Sequence, residues 1–479
     1  MGARVVPVVN PEVRYEHLGE EPYKIQTAYK QLILFGLALS FAIFLIIVTA
    51  YNGWDELFNG KRTDNLDFVM NGPVRSELGV SGIQERHADL YAQALNQKHL
   101  MKPISNYKPQ VDQLPTNIPY VRATPEPEGY KLICYYALPA KGTVNDNTLM
   151  PDQLEADLCT HINLAFASVA NGTLTPAEPS DLQNYDEVMK LKKQNPKLKV
   201  LLSVNGDMSQ VVKSHASRKT FIKSALNVMR KHSFDGLDVD WEFPSDAWKF
   251  MSLLAEFRQA FGDRFLLTAA VAAPQFLVDI SYKVNVMARY VDWVNVMTYD
   301  FHFYSSLSPF TGINAPLYKS SEDFGYFAQA NTNWSLHYWE DQGMPRNKIV
   351  MGIPTYGHTF KLRKANFNGF YAPASNFGDF GGGGFIDYPN VCEFLAGVGV
   401  TQTFDRSTRA PYAFKGLNWV SFDDERSVAY KAEFVTSGGY AGAMIWSLNA
   451  DDHKGLCYKS DLKFPLIKRV KNVLNDDML

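Results

Sequence analysis

Between Tyr130 and Cys457 the chain alternates short apolar runs with longer amphipathic stretches. The runs are Leu132–Ala137, His161–Phe166, Val200–Val204, Gly236–Phe243, Leu266–Val271, Trp293–Tyr299, Ile349–Ile353 and Ala441–Leu448. Each is too short for a typical helix and predicts a buried strand; the stretches between them have helix length. Eight such strands separated by helices fit a parallel α/β barrel forming one domain. Between the seventh and eighth runs lie about 85 residues, too many for one loop and one helix. Thr401–Phe404 and Trp419–Phe422 read as additional strands there.

A different pattern governs the N-terminal part. Gln31–Ala50 carries no charge and is long enough to cross a bilayer as a helix. A mostly polar segment, residues 1–30, precedes it, which predicts an uncleaved signal anchor with a cytoplasmic tail. The alternative is a cleaved signal peptide, with Val48-Thr49-Ala50 as the small-residue site and a protein secreted after cleavage near Ala50. The flanking charges Lys24, Lys30, Lys61 and Arg62 set orientation only weakly. Residues 51–128 are interrupted by Pro103, Pro109, Pro115, Pro125 and Pro127 and read as an extended stem. Gln84–His99 is its one candidate helix.

Candidate chemistry concentrates in Asp235-Gly236-Leu237-Asp238-Val239-Asp240-Trp241-Glu242. Side chains alternate along a strand, so Asp238, Asp240 and Glu242 are expected on one face, about 7 Å apart. Leu237, Val239, Trp241 and Phe243 take the other face, and Asp235, at an odd offset, is expected to face away and brace the strand. A row of acids on a buried strand repels itself, which suits proton transfer better than stability. A calcium loop needs turn-forming residues among its oxygen ligands, and Val239 and Trp241 fit that badly.

Composition narrows the field. Hydrophobic residues at 46% and charged residues at 20% are ordinary for a globular enzyme. A net charge of −3 gives no reason to expect a nucleic-acid partner. No Cys/His spacing points to zinc, and no metal or organic cofactor is implied. The glycine run Gly381–Gly384 lacks a following GK[ST] and reads as a mobile turn, not a phosphate loop.

Phe234–Glu242 resembles the DxxDxDxE signature of glycoside hydrolase family 18, the chitinases and their lectin-like relatives. Ser203-Val204-Asn205-Gly206 is similar to that family's SxGG strand, and Met297-Thr298-Tyr299-Asp300 to its MxYD motif. Gly352–Gly357 and Gly439–Trp446 correspond as well, so the resemblance covers roughly two-thirds of the chain. It implies a TIM (β/α)8 barrel over residues 129–466, with a small α+β insertion at 357–433 forming one cleft wall and a C-terminal tail at 467–479.

The resemblance also implies a chitinase that hydrolyses β-1,4-linked N-acetylglucosamine with retention, the substrate's acetamido oxygen serving as nucleophile. Glu242 would be the general acid and then the base. Asp240 would orient the acetamido group, and Asp238 would share a proton with Asp240. Tyr299 would donate to the acetamido oxygen, Asp300 and Met297 would line the same sugar, and Trp446 would form its floor. Tyr136 and Phe166 are the remaining candidate sugar contacts. Alternatives are a chitinase-like lectin that binds chitooligosaccharides without turnover, or an N-acetylglucosaminidase acting on glycoprotein glycans.

Several positions depart from the family pattern. Asn205 replaces the first Gly of SxGG, Asp207 stands where many members carry a cleft Trp, and Phe303-Tyr304 replaces a Gly followed by Trp. Tyr135-Tyr136-Ala137-Leu138-Pro139 lacks the Trp often found beyond the first strand. These changes are expected to weaken stacking of long chains. The four cysteines allow three pairings; the resemblance implies Cys134–Cys159 and Cys392–Cys457. With the glycosylation sequons at Asn171 and Asn333, they are expected to place the domain outside the cell or in a lumen, a type II topology.

Overall fold

The computed structural model of the protein describes residues 129–140, 142, 144–457 and 462–476. The expected tail, signal anchor and stem lie outside the described residues. Among the described residues no helix is long and apolar enough to cross a membrane.

Eight parallel strands close into a barrel. They are β1 (Lys131–Ala137), β2 (His161–Ala170), β4 (Lys199–Asn205), β5 (Gly236–Asp240), β6 (Leu266–Ala272), β7 (Trp293–Met297), β8 (Ile349–Pro354) and β15 (Gly442–Trp446), with β3 (Thr173–Pro176) added antiparallel to β2. Neighbours follow chain order, and β1 pairs with both β2 and β15, so the barrel has no free edge. Alternation along each strand divides the core in two. Ile133, Tyr135, Leu201, Trp293, Met297, Met444 and Trp446 fill the interior. Leu132, Tyr136, Leu237, Val239, Ile353 and Ile445 pack outward against the helices. Gly236 permits the close β5–β6 approach, since a Cβ there would lie 2.4 Å from the Leu266 carbonyl oxygen.

Helices cover the outside and begin at side-chain caps. Ser214, Asp246, Asn331 and Asp424 accept backbone N–H bonds at the starts of His215–Lys231, Ala247–Phe261, Thr332–Asp341 and Glu425–Gly438. Each satisfies a donor that the first helical turn leaves without an intrahelical partner. The fourth expected strand stops early: Gly236–Phe243 is extended only to Asp240. Trp241 turns into the outer layer, edge-on to Phe250 at 5.7 Å, while Phe243 packs against both layers. Asn171-Gly172, read in the sequence as a glycosylation site, is also the tip of the β2–β3 hairpin. Both residues have positive φ, 51° and 71°, as the tightest hairpin turns require.

The insertion is a six-stranded antiparallel sheet of β9 (Tyr356–Leu362), β10 (Ala374–Asn376), β11 (Phe385–Asp387), β12 (Thr401–Asp405), β13 (Ala410–Lys415) and β14 (Asn418–Ser421). It has a core of its own around Phe360, Ala374, Ala410 and Trp419. The expected limit at 433 is corrected, because Glu425–Gly438 is a barrel helix leading into β15. The disulfides Cys134–Cys159 and Cys392–Cys457 are both formed. They close loops of 25 and 65 residues, the longer of which constrains the unfolded chain more.

Residues 467–479, expected as a tail, begin inside the helix Pro465–Asp476. Leu466, Ile467, Val470 and Leu474 are buried on it. Asp451 anchors its start by accepting the Ile467 N–H at 3.0 Å, and burial pushes that carboxyl up to about 7. The folded state therefore holds this proton more tightly than the unfolded chain, and its stability falls as pH rises from about 4 to about 7. Asp451→Asn removes the titration, and denaturant melts are expected to show a shallower loss of stability across that window.

Candidate active site

The acid row sits at the C-terminal mouth of the barrel. Asp238 is fully buried and faces inward, its Cα opposite Ser203 on β4 and Thr268 on β6. Its Oδ2 accepts from Tyr135 Oη and Ser203 Oγ, both at 2.7 Å. Its Oδ1 accepts from Thr268 Oγ1 at 2.6 Å and Asn295 Nδ2 at 3.2 Å. Burial raises this carboxyl above its ordinary value, and the four donors oppose the rise. Both oxygens are thus engaged, by three hydroxyls and one amide. Trp293 Nε1 continues the network by donating to Asn295 Oδ1.

Asp240 lies two residues nearer the mouth, opposite Asn205 and Ala270, and is 4% exposed. Glu242 follows beyond the end of β5 and is partly exposed. Having left the strand, Glu242 is less enclosed than either aspartate, although its Oε2 is buried. Asp235 faces the other way, accepting from Lys192 Nζ at 2.7 Å and from the Val200 N–H at 2.8 Å.

Aromatic groups complete the mouth. Trp446 ends β15 with Phe166 stacked on it at 5.6 Å and Tyr135 edge-on at 5.4 Å. Tyr299, Met297, Phe166 and Trp446 each retain 5–6% exposure in an otherwise closed interior. Gly352 makes room for Tyr299, whose ring Cε1 would lie 2.9 Å from an added Cβ. The Tyr299 hydroxyl is held well above its usual range, first by burial and then by Asp300, Asp240, Glu242 and Asp238. That group keeps its proton and acts as a neutral donor; its contact at 4.0 Å is the weak acceptor Met444 Sδ.

Asp300 belongs to a tighter arrangement. Its Oδ1 accepts from Tyr356 Oη at 2.6 Å and faces His358 Nε2 at 2.7 Å, and its own N–H donates to Asn314 Oδ1. The backbone there has φ 57°, a left-handed conformation that costs an L-residue about 1–2 kcal/mol. Asp300 thereby joins the barrel to the insertion. Tyr136 is a correction: it points into the outer layer and donates to the Leu149 carbonyl at 2.8 Å. The inward residue is its neighbour Tyr135.

Tyr135, Thr268, Asn295, Tyr356 and His358 were not singled out from the sequence. Cys134 carried a usable signal for the first. It bonds to the outer Cys159, so Tyr136 shares its face and Tyr135 cannot. Asp207, exposed just beyond the end of β4, accepts from the Ser209 N–H and hydroxyl. Tyr304 lies edge-on to Phe377 and donates to the Ser375 carbonyl.

Comparison with known proteins places this geometry. The profile described as Glycosyl hydrolases family 18 matches residues 131–451. The chain belongs to glycosyl hydrolase family 18. Human Chitinase-3-like protein 2 is 36% identical over 72% of this chain and 93% of its own length. Mouse Chitotriosidase-1 is 36% identical over 72% of this chain and 78% of its own. The solved structure of human YKL-39, described as a pseudo-chitinase with retained chitooligosaccharide binding, has a TM-score of 0.69 at 36% identity. It is matched over its whole chain by 72% of this one. The relatives of this chain thus include one named a chitotriosidase and one described as a pseudo-chitinase that retains chitooligosaccharide binding.

Proposed function

We propose that this family 18 domain is an endo-acting chitinase that hydrolyses β-1,4-linked N-acetylglucosamine by a retaining, substrate-assisted route. The observation that carries it is the placement of Glu242 outside β5, partly exposed, above two buried aspartates and beside a proton-holding Tyr299. A bound sugar resting on Trp446 would present its glycosidic oxygen to Glu242. Glu242 gives that oxygen a proton as the bond to the anomeric carbon breaks, and the sugar's acetamido oxygen closes onto the same carbon. Tyr299 donates to the acetamido oxygen, and Asp240 stabilises the positive charge that develops on the ring. Asp238, fixed by its four donors, holds the negative field beneath them. Glu242 then takes a proton from water, which opens the intermediate from the face the leaving group vacated, and two inversions give retention.

One observation favours a second reading, that of a lectin. Asp207 is exposed, and Tyr304 is engaged with the insertion, where the family pattern has stacking tryptophans. Fluorophore release from a chitotriose conjugate by the full-length protein, with NMR of the first-formed anomer, tests the choice. Release with a β product supports the chitinase. Oligosaccharide binding without release would leave the lectin, and cleavage of N-linked glycans but not chitin oligomers would leave the glycoprotein-directed N-acetylglucosaminidase.

The two disulfides and the exposed hairpin-tip Asn171 support an oxidising, glycosylating compartment for the domain. We extend the proposal to a type II topology, with residues 31–50 as the anchor and Asn171 and Asn333 as glycan acceptors.

A further inference from the structure

The geometry points to Asp387 as a specificity residue of the cleft, pairing its carboxylate with the free ammonium of a deacetylated glucosamine unit beside the reacting N-acetylglucosamine. This rests on the glycan-cleft reading above, and it holds for either a hydrolase or a lectin.

Placement comes from register. β11 runs antiparallel to β9 with Phe385 opposite His358, Ile386 opposite Gly357 and Asp387 opposite Tyr356. Directly opposed residues share a face, and alternate residues switch faces. Ile386 enters the outer core, while Phe385 enters the interior cluster that holds Tyr356 and Trp446. The Phe385 ring lies 4.7 Å from that of His358 and 5.7 Å from that of Tyr356. Asp387 therefore emerges on the face that carries Tyr356, whose ring is 6.2 Å from that of Tyr299 and whose hydroxyl holds Asp300. The Gly381–Gly384 run makes this possible by turning tightly into β11, with Gly382 and Phe385 exchanging backbone bonds.

A structural role accounts poorly for the residue. Asp387 occupies the N-cap position of the helix Tyr388–Leu395, where an aspartate ordinarily accepts a first-turn N–H, but its side chain makes no capping bond. Burial pushes its carboxyl up to about 6, and among the described residues no neighbouring donor or cation opposes the rise. It is nevertheless partly open to solvent. A crowded carboxylate of this kind gains most from an incoming cation. Asp238, Asp240, Glu242 and Asp300 give the cleft a negative field that favours a cationic sugar over a neutral one. Substrate assistance needs an acetyl group on the reacting unit alone, so a neighbouring unit is free to carry the ammonium.

The test compares fully acetylated and partially deacetylated chitooligosaccharides of equal length, measuring turnover and calorimetric binding with full-length protein. The native protein is expected to favour the partially deacetylated ligand about tenfold, the scale of one charge-assisted hydrogen bond. Asp387→Ala and Asp387→Asn should both bring that ratio close to one. A merely structural role would lower both ligands together and leave the ratio unchanged, which would overturn the inference. A native ratio near one would overturn it too. Asp387-dependent selectivity in binding without turnover would uphold the inference while removing the hydrolase reading; turnover without selectivity would do the reverse.

Discussion

Glu242→Gln is expected to reduce hydrolysis of an unactivated chitooligosaccharide by about 10²–10⁴-fold while leaving oligosaccharide affinity within a factor of about two. Glutamine keeps the size and polarity of the side chain but cannot pass a proton to the leaving oxygen. On the proposed route the remaining machinery stays in place, because the nucleophile would belong to the substrate and Asp240, Tyr299 and Trp446 are untouched. The loss is therefore that of proton transfer, about 3–5 kcal/mol of transition-state stabilisation. A leaving group that departs readily as an anion needs less protonation, so a fluorogenic conjugate should lose less than the natural glycosidic bond. Steady-state rates on both substrates check this. Equal, small losses on the two would mean that Glu242 is not the proton donor.

Lys431→Met is expected to destabilise the domain by about 3–5 kcal/mol, the usual cost of removing one partner from a buried ion pair. Lys431 and Asp423 are essentially closed to solvent, and the Lys431 ammonium donates to both Asp423 oxygens at 2.6 and 2.7 Å. Burial pulls the Lys431 ammonium down and Asp423 holds it up. Without Lys431, Asp423 keeps the Ser427 hydroxyl at 2.6 Å, too little to replace the lost cation. The double variant Lys431→Met/Asp423→Leu should recover most of the loss, since neither charge then needs to be dehydrated. Denaturant melts of the single and double variants measure this, and a single variant as stable as the native protein would show that water reaches the pair. The pair fixes the helix Glu425–Gly438, which leads through Gly439 into β15 and Trp446, so a loosened helix should weaken sugar binding as well.

Much of the fold was legible because a strand buried on both sides must be apolar along its whole length. Seven of the eight runs met their strands within a few residues. The fourth, Gly236–Phe243, overran, because Trp241 and Phe243 continue the alternation in sequence after the backbone has left the sheet. The Asn171-Gly172 hairpin is written in two residue types that tolerate positive φ, within the same three residues that form the sequon. The C-terminal helix escaped for a different reason: its apolar face is short and becomes recognisable as core when it packs against Glu425–Gly438.

The site divides along the same line. Residues 234–242, 297–300 and 446 are close in sequence to what they do, and spacing alone put Asp238 and Asp240 on one face. Tyr135, Thr268 and Asn295 come from three other strands, and their grip on Asp238 is a matter of register around a closed barrel. His358 comes from the insertion and meets Asp300 across the junction of β9 with the barrel, which no local pattern encodes.

By itself, then, the sequence determined the period of the elements, the acid row and the family to which the chain belongs, because these depend on neighbours within a few residues. Tertiary structure decided which tyrosine faces the acids, where β5 ends and so how Glu242 meets solvent, and which distant donors hold each carboxylate. Those depend on how a closed barrel brings remote strands into register, and a one-residue change of register reverses every face.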